Sequence, residues 1–432
     1  MGTGRHGARY PSPVTTPAPP YPRPFGPYVL LERLGQGGMS EVDLATRAVD
    51  DADYVRFVVI KRIHTQHTGE ESFVRMFQDE ARINAELQHE NIATVYDFGL
   101  QGSEFFLAME YVPGCDLRRI QRQLVRRGQH FPIRIALRII SDVLAALDYA
   151  HHRVDTYGRS MNIVHRDVNP RNIMLSVRGE VKLIDFGVAK ADNRADQTVG
   201  HSIKGKFAYM APEQIEARGP VDGRADLFAV GIVLYELLSN QSPFAGLSEV
   251  QTMHRILGGQ IPAITSTDKH PIPDEVLDLL DRALATNRDQ RFRDATQMRE
   301  AVLRAVAAVG GLPGRVEMAE FVRQVDPETS GVSARLEEWR QGGLPRLLST
   351  PAPVIGPSTQ SRSLQQGGTG VVSAPLSLQP GQSGSFTGSV VAPPPPSRLL
   401  PALGLGLGLG AMLLLGLGIG WLFNRAPSPS PT

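Results

Sequence analysis

Apolar positions along the chain follow two periods. In "YVLLERLGQGGMSEVDLAT", residues 28–46, an apolar run ends at Leu34, gives way to Gly35, Gln36, Gly37, Gly38 and Met39, and resumes at Val42 and Leu44 after Ser40 and Glu41. This predicts strand, glycine turn, strand. "FVVIKRI" packs four apolar residues, Val59 among them, ahead of Lys61 and predicts a buried strand. The pattern then turns helical, with Phe73, Met76, Phe77, Ile83 and Leu87 spaced along one face and Glu80 among them. A long helix is expected to end at His151 and His152, both read as surface residues. Two short amphipathic runs, "VEMAEFVRQV" and "ARLEEWR", follow the globular part.

Composition divides the chain. Residues 1–27 form a proline-rich leader expected to be disordered, with no apolar core of a signal peptide. Residues 28–308 are ordinary globular sequence, and 309–348 are a helical extension. Residues 349–398 are rich in Ser, Gly, Gln and Pro, and read as a flexible linker with an r.m.s. span of about 35–42 Å. Residues 399–423 carry no charge, and as a helix they would be about 38 Å long, against a hydrocarbon core of ~30 Å. They predict one transmembrane helix, with Trp421 near an interface and a tail at 424–432. Gly404 and Gly408, and Gly416 and Gly420, are four apart and permit close helix approach, so a homodimer is a candidate. The formal net charge is +1, which offers no electrostatic argument for nucleic acid as a partner. The lone Cys115 cannot form an intrachain disulfide and is read as incidental.

Candidate chemistry lies in the globular part. Glycines let backbone N–H groups approach phosphate oxygens. A lysine ending a buried strand needs an anion, and Glu80 on the inner face of a helix could pair with it. "HRDVNPRN" holds Asp167 and Asn172, and "LIDFG" holds Asp185; their oxygens are hard ligands suited to Mg²⁺. "YMAPE" ends at Glu213. His64 and His67 lack the further ligands of a zinc site. Each piece alone is ambiguous, but the ordered set is specific.

With these motifs in order, the chain resembles the bacterial, membrane-anchored, eukaryotic-like (Hanks-type) serine/threonine protein kinases over about two-thirds of its length. The resemblance implies an α+β fold of two lobes, a small antiparallel β-sheet lobe with one helix and a larger helical lobe, with ATP and Mg²⁺ as cofactors. It implies that the loop from Leu34 to Glu41 covers the phosphates, with Ser40 at the third glycine position. Lys61 would contact phosphates and pair with Glu80, Asn172 and Asp185 would hold Mg²⁺, and Asp167 would take or orient the hydroxyl proton. Met109 would be the gatekeeper, with the backbones of Glu110 and Val112 meeting adenine and Asp116 meeting the ribose. Val42, Val59 and Met174 would sandwich the purine. His165 and Phe186 would stack between the lobes, Asp226 would anchor the catalytic loop, and Glu213 would pair with Arg291.

Two departures stand out. The family's lysine two residues after the catalytic Asp is Asn169 here, and the threonine usually beside that lysine is Lys206. Lys206 is expected to supply the charge that Asn169 lacks. Thr198 and Ser202 are the nearest phosphorylation candidates in the activation segment, where a phosphate could meet Arg166. The expected activity is ATP-dependent phosphorylation of Ser/Thr in proteins, in a single-pass inner-membrane protein with its kinase domain in the cytoplasm. The alternative is an ATP-binding pseudokinase scaffold at the membrane.

Overall fold

The computed structural model describes residues 20–37, 40–47, 56–63, 78, 81–186, 206–217, 219–264, 266 and 271–343. Gly38, Met39, His64, His67, Glu80, Thr198, Ser202 and the apolar segment at 399–423 lie outside these residues, and Lys206 is described by its backbone alone. No helix among the described residues is long and apolar enough to cross a membrane.

Among the described residues, six strands make the small lobe: β1 (Arg23–Phe25), β2 (Tyr28–Gln36), β3 (Ser40–Arg47), β4 (Phe57–Ile63), β5 (Val95–Gln101) and β6 (Glu104–Glu110). They pair antiparallel in the order β1-β2-β3-β4-β6-β5. β1 moves the expected boundary of the leader. Its Arg23 pairs with Leu30, and Phe25 is buried edge-on against Phe106 at 5.6 Å between ring centroids. Proline is tolerated there because β1 is an edge strand. The last residues of the leader therefore belong to the sheet.

Alternation splits the sheet into two faces. Leu30, Ala45, Val58, Ile60, Phe106 and Ala108 form one apolar cluster. Leu107 and Met109 pack with Ile63 and Ala81 on the other, toward the helical stretch at residues 81–86. Val42 stands opposite Lys61, and Lys61 opposite Leu107, so all three share this second face.

The large lobe follows. It contains β7 (Gly114–Asp116), α1 (Leu117–Arg126), α2 (Ile133–His151), β8 (Ile173–Ser176) and β9 (Val181–Leu183). Then come α3 (Pro212–Glu216), α4 (Arg224–Ser239), α5 (Glu249–Leu257), α6 (Asp274–Ala283) and α7 (Ala295–Ala308). α4 is apolar nearly all round and buried along its length, as a central helix must be. It packs with α2 at the centre of the main core. β7, β8 and β9 form a small antiparallel sheet carrying the loops of the site. Two further helices, α8 (Arg315–Val325) and α9 (Pro327–Glu338), pack back on this domain.

Two buried charges hold the large lobe together. Arg291 has a fully buried side chain, and all five of its N–H donors are used. Nη1 and Nη2 each reach a Glu213 carboxylate oxygen at 2.8 Å, and the other bonds go to the carbonyls of Ala285, Arg224 and Thr286. The second is Asp226. Its Oδ1 accepts from the Arg166 N–H at 2.7 Å, and its Oδ2 from the His165 N–H at 2.8 Å and from His151 Nε2 at 2.8 Å. His151 is thus a support for the catalytic loop, which corrects its reading as a surface residue. Burial alone would raise the Asp226 carboxyl, but the His151 bond and charge, with the His165 contacts, outweigh it and hold it below the ordinary aspartate value.

Replacing Arg291 by Met leaves the part-buried Glu213 and three backbone carbonyls without their partner, so the domain should lose about 3–5 kcal/mol of unfolding free energy, read from urea titration. Because the Asp226 carboxyl is depressed in the folded state, its contribution is complete above the ordinary aspartate pKa of about 4 and is lost as pH falls through the folded value. Urea midpoints taken from about pH 6 to about pH 3 should therefore fall less steeply in Asp226→Asn than in the parent chain.

Candidate active site

The site lies where β4, the loop after α2, β8 and the loop after β9 meet. Lys61 projects from β4 on the cleft face of the sheet, and its Nζ stands 2.9 Å from Asp185 Oδ1. Asp185 has a φ of +57°, in the left-handed region that aspartate tolerates better than most residues. The neighbouring bonds hold it there. Ile184 N–H donates to the Asn172 carbonyl at 2.9 Å, and Asn84 Nδ2 donates to the Phe186 carbonyl at 3.2 Å. His165 accepts at Nδ1 from the Asp167 N–H and so carries its proton at Nε2, which donates to the Ile184 carbonyl at 3.1 Å. The His165 ring also packs on Phe186, with centroids 4.5 Å apart. Both rings are fully buried, as the inter-lobe stack requires.

The catalytic loop is braced from within. Asn172 Nδ2 donates to the Asp167 carbonyl at 2.9 Å and to Asp167 Oδ2 at 3.3 Å. That turns the Asn172 oxygen the other way and leaves it to act as a hard ligand beside Asp185. Asn169 proves to be more than a missing lysine. Its Nδ2 donates to the Asp167 carbonyl at 2.8 Å, and its Oδ1 accepts the Arg171 N–H at 2.9 Å. A short amide closes this bridge inside the loop, where a lysine could not accept a hydrogen bond. Outside the loop, the Arg118 N–H donates to the Pro170 carbonyl at 3.1 Å, while Arg118 Nη1 meets the buried Glu236 at 3.2 Å. Tyr209 donates to the same Glu236 at 2.9 Å, so α1, α4 and the segment after Lys206 are joined at one carboxylate.

The expected purine pocket is partly assembled by strand pairing. Val42, Val59, Lys61 and Met109 lie on the same face of the sheet, and Met174 pairs with Asp116 across β7 and β8. The Glu110 N–H is taken by the Thr94 carbonyl at 2.7 Å, so any backbone contact of Glu110 with a base runs through its carbonyl. The Glu110 side chain pairs with Lys182 at 2.9 Å, and Val112 is buried just beyond it. Asp116 caps α1, accepting the Arg119 N–H at 2.8 Å, which commits one of its oxygens.

In the glycine turn, the Gly37 N–H bonds the Ser40 carbonyl at 2.7 Å, and Leu34 is exposed at the rim. Gln36 and Glu41 flank the same turn. Gln36 is bound by Arg33, and Glu41 by Arg33 and the buried Arg62, so neither side chain lines the cleft. Only their backbones can face a phosphate. Arg166 has a φ of +63°, and its buried Nε has no hydrogen-bond partner among the described residues. Cys115 is buried, which pushes its thiol up to about 11 and leaves it unreactive.

Lys61, Asp167, Asn172 and Asp185 thus converge, and their chemistry fits a nucleoside triphosphate with Mg²⁺: one ammonium, two hard oxygen ligands and one further carboxylate. Asn84, His151 and Arg118 are supporting residues that no motif marked, and Asn169, marked only as a departure, supports the loop as well. The chain is similar in sequence to known protein kinases. The chain is 37% identical over 284 residues to the tyrosine-protein kinase MasK of Myxococcus xanthus, covering 66% of this chain and 43% of MasK. It is 34% identical over 286 residues to the serine/threonine-protein kinase PknL of Mycobacterium tuberculosis, covering 66% of this chain and 67% of PknL. A crystal structure of the Mycobacterium tuberculosis PknI kinase domain aligns at 27% identity with a TM-score of 0.49, covering 67% of this chain and all of that one. The matched stretch spans less than half of MasK's own length. Residues 28–302 match the protein kinase domain, and the chain belongs to that family.

Proposed function

We propose that this chain is a protein kinase that transfers the γ-phosphoryl group of ATP to serine or threonine hydroxyls of proteins. The observation that carries the reading is the convergence of Lys61 and Asp185 at 2.9 Å above a catalytic loop in which Asn172 is bonded to Asp167. Protein kinases of this family use ATP and Mg²⁺, which supply the phosphoryl group and the charge that offsets its oxygens. Lys61 would hold phosphate oxygens, and Asn172 and Asp185 would hold the metal through their side-chain oxygens. Asp167 orients the substrate hydroxyl and accepts its proton. The Asp226 bonds to the His165 and Arg166 N–H groups keep Asp167 in place.

Lys206 supplies the ammonium that the family places at the position of Asn169, since Asn169 is occupied inside the loop. The loss of one such donor costs about 10²–10³ in rate, so an enzyme without it would be slow rather than inert. This argument, with the intact set of ligands, favours an active kinase over a pseudokinase scaffold. A phosphate on Thr198 or Ser202 would satisfy the buried Arg166 Nε and order the activation segment.

A second reading has its own support. MasK is named a tyrosine kinase, and Lys206 occupies the place of the threonine usual in serine/threonine kinases. Tyrosine is therefore the rival acceptor. The membrane part of the proposal rests on the uncharged stretch at 399–423, which would hold the kinase domain at the cytoplasmic face through the linker. Close approach of two such helices would favour trans-phosphorylation.

Incubated with Mg²⁺ and γ-labelled ATP, the purified chain should label itself and a protein substrate, and Asp167→Asn should abolish labelling. Hydrolysis of the product should give phosphoserine or phosphothreonine; phosphotyrosine alone would establish the rival acceptor. Lys206→Met should lower turnover by about 10²-fold, and unchanged turnover with altered substrate affinity would remove Lys206 from the chemistry. Expressed in bacteria, the full chain should stay in the membrane fraction after a carbonate wash, whereas a chain ending at Ser397 should be released.

A further inference from the structure

The helices after the large lobe do more than extend it. α8 is seated by features that belong to the domain itself. Gly179, at a φ of +79°, meets the start of α8 so closely that any Cβ would overlap the Arg315 carbonyl oxygen. Arg127 donates to the carbonyls of Gln324 and Val325 at 2.9 and 2.7 Å, capping the end of α8. At the turn into α9, Asp326 is fully buried and takes both Nε and Nη2 of Arg119, while Thr329 donates to it at 2.6 Å. The chain is thus fixed to the large lobe beside β7, which immediately follows the hinge at residues 111–113 that joins the lobes.

From that anchor, α9 runs to the small lobe. Leu336 and Trp339 pack on Leu31 and Leu44, with Val29, Phe57 and Tyr111 around them. Leu31 and Leu44 are each only 1% exposed, yet they belong to neither of the two main small-lobe clusters. The extension therefore completes a third, separate core for the small lobe. Leu44 stands opposite Val59, so this core lies on the cleft face of the sheet, next to the purine pocket. Two weaker contacts join it: Arg335 stands 3.7 Å from Glu32, and the Arg340 guanidinium lies 5.5 Å from the centroid of the Phe57 ring. Tyr111 belongs to the hinge itself, and burial pushes its hydroxyl up to about 12.

We propose that residues 315–343 form an inter-lobe strap: fixed to the large lobe through Arg119 and Asp326, it presses Leu336 and Trp339 under the small lobe and so sets the closure that brings Lys61 to Asp185. Any rotation of the lobes about the hinge must slide Leu31 and Leu44 across Leu336 and Trp339. A docked strap holds the nucleotide-competent orientation, and an undocked strap lets the lobes part. Leu336 and Trp339 are positioning residues, since they act on the site through the sheet. In sequence, the strap ends five residues before the stretch read as a linker at 349–398. This inference rests on the kinase reading only for its effect on nucleotide.

The test uses the full chain carrying Leu336→Ala with Trp339→Ala, against the parent and Trp339→Phe. Affinity for Mg·ATP is measured by calorimetry, and amide hydrogen exchange is followed without nucleotide. The double variant should bind Mg·ATP about five-fold or more weakly, because the competent orientation becomes a smaller fraction of the population. Exchange should quicken in residues 29–32 and 43–46 while α1 and α8 stay protected. Trp339→Phe should restore both readouts. Unchanged affinity in the double variant, with or without faster exchange, would overturn the coupling. If the parent itself binds no Mg·ATP, the kinase reading fails, and the exchange pattern across β2 and β3 alone decides whether the strap supports the small lobe.

Discussion

Asp226 lies beneath the catalytic loop with both carboxylate oxygens engaged, one by the Arg166 N–H and the other by the His165 N–H and His151. It is almost wholly buried, and a bare carboxylate there would be costly. Three donors from two separate segments make the burial tolerable and fix those segments together. The loop above can then hold Arg166 in a left-handed conformation and direct Asp167 into the cleft. From Asp167 the order passes on through hydrogen bonds: to His165, to the Ile184 carbonyl, and from Ile184 back to Asn172. The placement of the two candidate metal ligands follows from that one buried charge.

The same logic explains how a departure from the family pattern can be tolerated. The loop needs Asp167 held rigidly, and Asn169 contributes two hydrogen bonds to that end. What it cannot contribute is positive charge near the transferring group, where a preorganised donor acts most strongly. Rigidity and charge are separable demands, and one residue need not meet both. The strap makes a related point at larger scale. The small lobe is a twisted sheet with limited core of its own, and part of its apolar face is covered by helices anchored on the other lobe.

Legibility in the sequence followed the range of the interactions. Lys61, Asp167, Asn172 and Asp185 could be found because each sits in a short motif whose spacing serves the chemistry directly. The pairing of Glu213 with Arg291 was accessible only through the resemblance. His151 was misplaced because its partner is 75 residues away, and a histidine ending an amphipathic helix carries no sign of a buried carboxylate below it. Asn84 and Arg118 were invisible for the same reason: one serves a carbonyl 102 residues on and the other a carboxylate 118 residues on. The amphipathic runs at 316–325 and 334–340 announced helices, but not the surface they would cover, because the Arg119–Asp326 anchor spans 207 residues. β1 escaped notice since prolines mask the single buried Phe25 that holds it to the sheet.

The central claim is that an ammonium, two oxygen ligands and a carboxylate converge on one metal-bound triphosphate. Calorimetric titration of ATP into the full chain, with and without Mg²⁺ and alongside Asp185→Asn, measures that convergence most directly. The account predicts a single saturable site whose affinity rises with Mg²⁺ in the parent and no longer responds to the metal in the variant. No binding in the parent, or binding that ignores Mg²⁺ altogether, would contradict it.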